Sequence, residues 1–273
     1  FKQLALGFTG ETITWVGSIE QGLLRFDREK KTSTTFLNPA GGGANTIYDI
    51  VDEGKTLLLG TADGLWQFDL SENKFYRPAN VPESSGIYPG VVKKIVPHRA
   101  DYWLWMDSQL IHVGSNGQTI NRLDFGEVHE RFDLDKKFND LHVVSVVQDK
   151  GGDFWIASQG LGLIYFTPSN NNCINYRKKA NDVNSLPSDV LSDVMVDRDQ
   201  NVWVSTVNKG IVKMRKQSVD FDNYLDGISS TGVALIPGKE TSTLFVATNG
   251  AGLWRSLFDV NDLSHLNFKP HAF

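Results

Sequence analysis

Short apolar runs separated by polar clusters recur along the whole chain, and residues 189–225 show the pattern clearly. Within this stretch the runs 189–197 (DVLSDVMVD), 202–206 (VWVST), 211–216 (IVKMRK) and 219–225 (VDFDNYL) are separated by the polar segments RDQN and VNKG. Runs of about four to eight residues bounded by turn-forming clusters are typical of β-strands. The stretch therefore predicts four antiparallel strands, a to d in chain order, joined by tight turns.

The same four-strand pattern is repeated six times, and each copy has a large apolar residue at the head of strand b. These anchor residues are Trp15, Leu58, Trp103, Trp155, Trp203 and Phe245. They are spaced by 43, 45, 52, 48 and 42 residues, and a period of about 40–50 residues with several strands per repeat is typical of β-propeller blades. The sequence predicts an all-β propeller of four-stranded antiparallel blades in a single domain. The predicted blades span about 1–38, 44–80, 90–128, 140–179, 189–226 and 231–273.

Each recurring residue has a physical role in the predicted blade. The anchor packs between adjacent blades, because a large side chain buries much apolar area there. Small residues two and three positions later, such as Ala157–Ser158, let strand b lie close to its neighbours. The glycine that opens strand c, such as Gly162, suits a turn that needs a positive φ. The third copy has Trp105–Met106 and Gln109 at these positions, and it is the degenerate blade.

Two copies carry the repeated motif most completely. Residues 197–211 read DRDQNVWVSTVNKGI and residues 149–163 read DKGGDFWIASQGLGL. Both resemble the two-component regulator propeller repeat, whose pattern is roughly D-x-x-G-N-L-W-I-G-T-x-x-x-G-L. The segment 181–189 (NDVNSLPSD) resembles that family's link between strand d and the next strand a. Two copies match the pattern closely, three match it moderately and the third matches it poorly.

The resemblance implies a sensory role. Propellers of this family are typically the extracytoplasmic, periplasmic part of bacterial membrane receptors, and their output is a cytoplasmic histidine kinase, hybrid kinase or diguanylate cyclase. The family often has seven blades per ring. We therefore expect one of two arrangements. Either the ring closes with six blades, or a seventh blade and the output domain lie outside this sequence. The resemblance also implies that flanking segments reach the membrane and that the parent receptor could form a homodimer.

Composition excludes some functional classes. The net charge of −5 argues against a nucleic-acid-binding surface. No run of 18 apolar residues occurs, so no segment of this sequence is expected to span a membrane. Cys173 is the single cysteine, so no internal disulfide is expected. A hydrophobic content of 40%, with 16 Phe and 7 Trp, is ample for a packed core between blades.

Motifs for metal binding and catalysis are incomplete. Asp197, Asp199 and Asn201 have the spacing of the first ligands of a calcium loop. Val202 and Asn208 stand where that loop needs a glycine and a closing glutamate, so we expect a polar turn instead. The six histidines show no H-x-H or H-x-x-x-H spacing that would predict a zinc site, and no G-x-S-x-G motif occurs. The sequence predicts no metal, no cofactor and no catalytic set.

The geometry of a propeller indicates where a ligand would bind. Because strand a is innermost, the d–a connections and the b–c turns open on one face around the central channel. Candidate ligand-binding residues on this channel face are Tyr48, Tyr88, Asn139, His142, Asn184 and Asp189. Polar and aromatic residues on a concave surface suit a small polar ligand, such as a glycan fragment. The same residues also fit structural roles, since tyrosines can cap blade cores and loop Asn and Asp residues form turns.

Three functions fit these patterns. The first is a non-catalytic sensor domain that binds a ligand or a partner protein on the channel face. The second is a propeller enzyme, a lyase or carbohydrate-active hydrolase, that uses His142 and nearby acids. The third is a protein-interaction scaffold without a small ligand. We expect the first, because the repeat resembles a sensor family and no partner base for His142 is identifiable.

Overall fold

The repeats predicted from the sequence fold as six separate sheets. The computed structural model describes residues 5–9, 12–82, 87–88, 90–131, 142–182, 184–214, 221–238, 241–259 and 266–271. In this described part the strands form six four-stranded antiparallel sheets, and in each sheet the strands follow chain order. The four-strand repeat is thus confirmed in all six copies. The chain divides into two compact units, Phe1–Glu127 and Val128–Phe273.

The first unit contains sheets 1 to 3. Sheet 1 consists of β1 (Ala5–Thr9), β2 (Ile13–Gly17), β3 (Leu23–Asp27) and β4 (Thr32–Phe36). A 3-10 turn at Gly42–Asn45 leads to sheet 2, which consists of β5 (Ile47–Asp52), β6 (Thr56–Thr61), β7 (Gly64–Asp69) and β8 (Lys74–Tyr76). Sheet 3 consists of β9 (Val92–His98), β10 (Asp101–Met106), β11 (Gln109–Val113) and β12 (Thr119–Asp124). The helix α1 (Phe125–Arg131) follows directly.

The second unit contains sheets 4 to 6. Sheet 4 consists of β13 (Val143–Gln148), β14 (Phe154–Ser158), β15 (Leu163–Thr167) and β16 (Asn172–Tyr176). Sheet 5 consists of β17 (Leu191–Val196), β18 (Val202–Thr206), β19 (Ile211–Met214) and β20 (Phe221–Tyr224). Sheet 6 consists of β21 (Ser230–Ile236), β22 (Thr241–Thr248), β23 (Leu253–Asp259) and β24 (Lys269–Pro270).

Two local details differ from the sequence prediction. Strand a of the fifth repeat begins at Leu191 rather than at Asp189, because Asp189 belongs to the preceding connection and bonds a neighbouring turn. The helix α1 was not predicted, because seven residues are too few for a clear helical period. Its residues Phe125 and Val128 are both buried, so tertiary packing stabilises a helix that the local pattern does not announce.

Four of the anchors pack against the next sheet as predicted, namely Trp15, Leu58, Trp155 and Trp203. Trp155 of sheet 4 lies in a buried cluster with Val194 and Val204 of sheet 5. In the next pair of sheets, Trp203 packs with Leu244 of sheet 6. Burial of an indole in this position removes a large apolar area from water. The core of each unit is therefore a series of sheet-on-sheet interfaces, each centred on an anchor.

The turn between strands b and c is built by a hydroxyl group as well as by glycine. Ser158 Oγ donates to the carbonyl of Gly162 at 2.9 Å, and the same oxygen accepts the Leu161 N–H at 3.1 Å. Thr206 Oγ1 makes the corresponding bond to Gly210 at 2.8 Å. Both glycines have φ near +70° (71° and 69°), as the sequence predicted. The small residue that ends strand b thus closes the turn, a role that its size alone did not indicate.

Candidate ligand-binding face

The connections between sheets and the b–c turns lie together in each unit. A connector is the chain that leads from strand d of one sheet to strand a of the next. In the first unit the Gly22 N–H donates to the carbonyl of Asn45 at 2.9 Å, and in the second unit the Gly162 N–H donates to that of Asp189 at 3.0 Å. Each connector is therefore tied to the b–c turn of the preceding sheet. These connectors and turns form the connector face, which is the predicted location of the site.

A β-bulge near the start of strand a redirects one residue towards this end of the sheet. In sheet 2 the register shifts between Ile47 and Asp49, which leaves Tyr48 as the extra residue. Bulges redirect side chains and are common beside functional sites. Sheets 3 to 6 have a bulge at the matching place, and their extra residues are Lys93, Val144, Ser192 and Thr231. Tyr48 is half-buried and is the one aromatic residue in this set.

Tyr88 is part of a cation–π clamp. The Arg77 guanidinium lies between two aromatic rings, 4.0 Å from the Trp66 centroid and 4.3 Å from the Tyr88 centroid. Arg77 also forms an ion pair with Asp63 of the b–c turn at 2.6 Å, and the Tyr88 hydroxyl donates to the carbonyl of Leu65 at 3.2 Å. Burial raises the pKa of Tyr88 to about 12, against the lowering effect of Arg77. Tyr88 therefore holds the connector of sheets 2 and 3 in place.

Asp189 has a similar structural role in the second unit. Its Oδ2 pairs with Arg177 Nη2 at 3.0 Å, and its Oδ1 accepts the Lys178 N–H at 2.7 Å. Its backbone carbonyl accepts the N–H groups of Gly160 and Gly162. One residue thus joins the end of an outer strand, a b–c turn and a connector. These bonds leave the Asp189 carboxylate little capacity for a ligand.

The remaining candidates differ in accessibility. His142 and Asn184 are both exposed. The carbonyl of His142 accepts the Gln159 N–H at 2.9 Å, and the Asn184 N–H donates to Asp182 Oδ1 at 3.1 Å. In both residues the described bonds are made by the backbone, so the side chains face solvent. Asn139 lies outside the described residues.

A cleft of about 350 Å³ lies beside Asn184 in the second unit. Its floor is apolar and includes Leu186 and Phe221. Its rim is polar and carries Lys178, Lys179, Asn181, Asp182, Ser185, Lys209, Asn223 and Asp226. Clefts of this volume with an apolar floor and convergent polar groups suit small ligands. The sequence analysis did not select these lysines as ligand-binding residues, although the Lys178–Lys179 pair lies on the same connector as Asn184 and Asp189.

The turn with the partial calcium motif is filled by its own hydrogen bonds. Asp197 Oδ1 accepts the N–H groups of Asp199 and Asn201, at 3.0 and 2.8 Å. Asp197 Oδ2 accepts the Trp203 indole N–H at 2.9 Å. The polar turn expected there is confirmed. In the described part of the chain, no group of three or more His, Cys, Asp or Glu side chains is arranged to hold a metal.

Comparisons with known proteins place the fold. No protein-family model matches the chain, and no curated protein matches its sequence. The structure is similar to the extracellular domain of the hybrid two-component system protein BT3049 of B. thetaiotaomicron, with a TM-score of 0.65 and 15% identity over 92% of this chain. It is also similar to the corresponding domain of BT4673 from that organism, with a TM-score of 0.59 and 18% identity over 94% of this chain. The chain spans 33% of the length of each of those two domains.

An enzyme is also among the similar structures. Virginiamycin B lyase from Staphylococcus aureus has a TM-score of 0.64 and 9% identity, and the alignment covers 99% of this chain and 84% of the lyase. At such identities the likeness shows the fold alone. The fold is an all-β propeller of four-stranded antiparallel blades, as the repeats and the family resemblance predicted. The domains of BT3049 and BT4673 agree with the resemblance to two-component regulator propellers.

Proposed function

We propose that this chain is the extracytoplasmic sensory propeller of a bacterial signal-transduction receptor and that it binds a small polar ligand without transforming it. Ligand binding on the connector face changes the contacts of the propeller within its receptor, and a cytoplasmic kinase or diguanylate cyclase produces the response. The observation that carries this proposal is the likeness of the fold to extracellular domains of two hybrid two-component proteins. None of the described helices is long and apolar enough to cross a membrane.

The chemistry of the connector face supports binding rather than catalysis. The carboxylates of Asp63 and Asp189 are paired with Arg77 and Arg177. A general acid or base must exchange a proton with its substrate, so it needs free access to the substrate. Each ion pair with an arginine occupies oxygens of the carboxylate. These two acids are therefore better suited to holding turns than to transferring protons.

The cleft beside Asn184 is the part of this face best suited to a ligand. Its volume of about 350 Å³ accommodates a polar molecule of the size of a small glycan fragment. Lys179 and Asn223 on its rim are exposed, so both can donate hydrogen bonds to such a ligand. Phe221, which lines the cleft, adds apolar surface to its floor.

Calorimetric titration of the purified chain tests this function. The probes are a panel of neutral and uronic-acid-containing di- to tetrasaccharides, and we expect saturable binding of at least one of them. Lys179→Ala and Asn223→Ala should each weaken that binding at least fivefold. Lys74→Ala is the matched control, because Lys74 is an exposed lysine on β8 of the first unit and does not line the cleft.

Other outcomes would favour the other functions. Conversion of a probe to product at a rate that His142→Ala abolishes would replace the sensor proposal with the enzyme. Binding that neither cleft variant weakens would move the site to another part of the chain. If no saccharide binds, and the chain instead captures a defined protein through the connector face, the scaffold is the correct function.

A further inference from the structure

The second repeat lacks the bulky anchor that the other repeats have. Its anchor is Leu58, whereas four of the other five anchors are tryptophans. In sheet 4 the anchor Trp155 packs on Tyr165, the residue opposite it on strand c, at a ring distance of 4.4 Å. In sheet 2 the residue opposite Leu58 is Gln67. The Leu58–Gln67 pair has no ring, so it fills less of the space between sheets than a tryptophan–tyrosine pair.

A cavity remains at this position between sheets 2 and 3 of the first unit. Its volume is about 130 Å³. Its lining includes the buried apolar side chains Leu58, Leu65, Leu104 and Val113. Polar residues also line it, among them Glu53, Gln67, Asn80, Tyr102 and Ser115. Protein interiors are normally packed without voids of this size, so the missing ring leaves room for another group.

One carboxylate at the edge of this cavity is oriented by neutral donors. Glu53 Oε2 accepts hydrogen bonds from Thr56 Oγ1 and Gln67 Nε2, both at 3.0 Å. Glu53 Oε1 accepts a hydrogen bond from the Tyr102 hydroxyl. Burial and the bond to Glu53 raise the pKa of Tyr102, so this hydroxyl remains a donor at neutral pH. Among the described residues, the ion pairs of the lysines and arginines involve other acids. The Glu53 charge is therefore held in place but is not neutralised.

The size and chemistry of the cavity limit what it can hold. An apolar cavity of about 150 Å³ in another protein holds one benzene molecule, so this cavity suits an apolar group of about five or six carbon atoms. A carboxylate at the edge of an apolar cavity favours a cation that also has an apolar body. Glu53 lies in the a–b turn, at the opposite end of the sheet from the connector face.

We propose that this cavity is a binding site for a small organic ammonium ion. The apolar body occupies the space that an indole ring fills in other repeats, and the ammonium group donates hydrogen bonds to Glu53. Formation of an ion pair next to these apolar side chains gives selectivity for the charged amine over a neutral molecule of the same shape. Pro78, Asn80 and Val81 of the connector between sheets 2 and 3 also line this cavity, but none of its lining residues lines the cleft of the second unit.

The test uses cyclopentylammonium chloride as the probe and methyl NMR of the purified chain as the measurement. Cyclopentanol is the neutral control of similar shape, and sodium chloride controls for ionic strength. We expect saturable shifts of the Leu65, Leu104 and Val113 methyl signals with the ammonium probe. Cyclopentanol should bind at least tenfold more weakly.

Two variants test the role of the cavity and the role of the Glu53 charge separately. Leu58→Trp restores the residue that four other repeats have at this position, so it should fill the cavity and abolish the shifts while the circular dichroism spectrum is unchanged. Glu53→Gln keeps an acceptor but removes the charge, and it should weaken ammonium binding at least tenfold. Glu53 is exposed, so this variant decides the result even if Leu58→Trp fails to fold. Absence of saturable shifts, or equal affinity in the wild type and in Glu53→Gln, would overturn the proposal.

Discussion

At the scale of single residues, polar side chains link the innermost strands of neighbouring sheets. Asp49 Oδ2 on β5 accepts the Ile95 N–H of β9 at 2.8 Å. Asp193 Oδ2 on β17 accepts the Val233 N–H of β21 at 3.2 Å. These strands belong to different sheets and share no ladder, so their facing backbone groups need other partners. Each aspartate directly follows a bulge, which places it where it can reach the next sheet.

Replacement of Asp49 should show how much this hydrogen bond contributes to the free energy of unfolding. Asp49→Ala leaves the buried Ile95 N–H without its acceptor, and loss of a partner for a buried donor costs about 1–3 kcal/mol. Asp49→Asn keeps an acceptor oxygen, so its free energy of unfolding at neutral pH should be close to that of the wild type or higher. Urea unfolding of the three proteins measures the difference. Equal stabilities of the Ala and Asn variants would contradict the role of the bond.

The Asp49 carboxyl group also predicts that the free energy of unfolding depends on pH. Burial raises the pKa of Asp49, and this effect outweighs those of Lys94 and of the hydrogen-bonded amides, which lower it. The folded state therefore binds the proton more tightly than the unfolded state, and the stability that results is present at acid pH and is lost as the pH rises through the folded pKa. Relative to Asp49→Asn, the wild type should become less stable between about pH 4 and neutrality. If the difference in the free energy of unfolding between the two proteins were constant across this pH range, the raised pKa of Asp49 would be contradicted.

At the scale of elements, the turns between strands depend on buried acids. Asp197 is 6% exposed and joins its own turn to the anchor Trp203. Asp149 has the same position in sheet 4, where its Oδ1 accepts the Gly151 N–H at 2.8 Å. The sequence predicted these turns correctly from their composition. It did not predict the bond from Asp197 to the indole, because that bond joins two residues whose side chains meet only after strand b has formed.

Asp197→Ala should destabilise the protein strongly. The change removes hydrogen bonds to the turn amides and leaves the buried Trp203 N–H without a partner, so we expect a loss of about 2–4 kcal/mol in the free energy of unfolding. Asp199→Ala is the matched control, because Asp199 is exposed and contributes its backbone N–H to the turn. It should cost less than about 0.5 kcal/mol. Thermal and urea unfolding of both variants measures their losses in the free energy of unfolding. Similar losses in the two variants would contradict this account.

At the scale of the whole molecule, stability depends on how completely each anchor is covered by the next sheet. Trp203 is fully buried against sheet 6, whereas Phe245, the anchor of sheet 6, is only half-buried. Ile236 and Leu257 on the same sheet are 59% and 54% exposed. The prediction that the ring closes with six blades or takes a seventh stays a prediction. These exposed side chains mark the face on which a further sheet would pack.

Trp203 and Phe245 should therefore contribute different amounts to the free energy of unfolding. Trp203→Ala removes a fully buried indole, and such changes cost about 3–5 kcal/mol. Phe245→Ala removes a ring that is already partly in water, so it should cost less than about half as much. Denaturant unfolding of the two variants under the same conditions makes the comparison. An equal loss would mean that the exposed face of sheet 6 is covered in solution.

The candidate site was less predictable than the fold, and Tyr88 and Asp189 show why. Both residues lie on connectors, where the sequence placed them, but both are occupied by structural bonds with Arg77 and Arg177. Each arginine follows the outer strand of its sheet, 11 or 12 residues before its partner in the chain. No local pattern reveals which of several polar residues such an arginine will reach. The lysines of the cleft were missed for the same reason.

The sequence by itself determined the repeat, the four strands of each blade, the anchors and the turns. These features depend on interactions between residues that are close in the chain, and six similar copies repeat the same local information. Only the tertiary structure decided which side chains are free to bind a ligand and where space is left between sheets. His142 and Asn184 are exposed, whereas Asp189 is half-buried and paired with Arg177, and the cavity beside Leu58 exists because two sheets meet there without an indole ring. Both outcomes depend on contacts between different repeats, which no single repeat encodes.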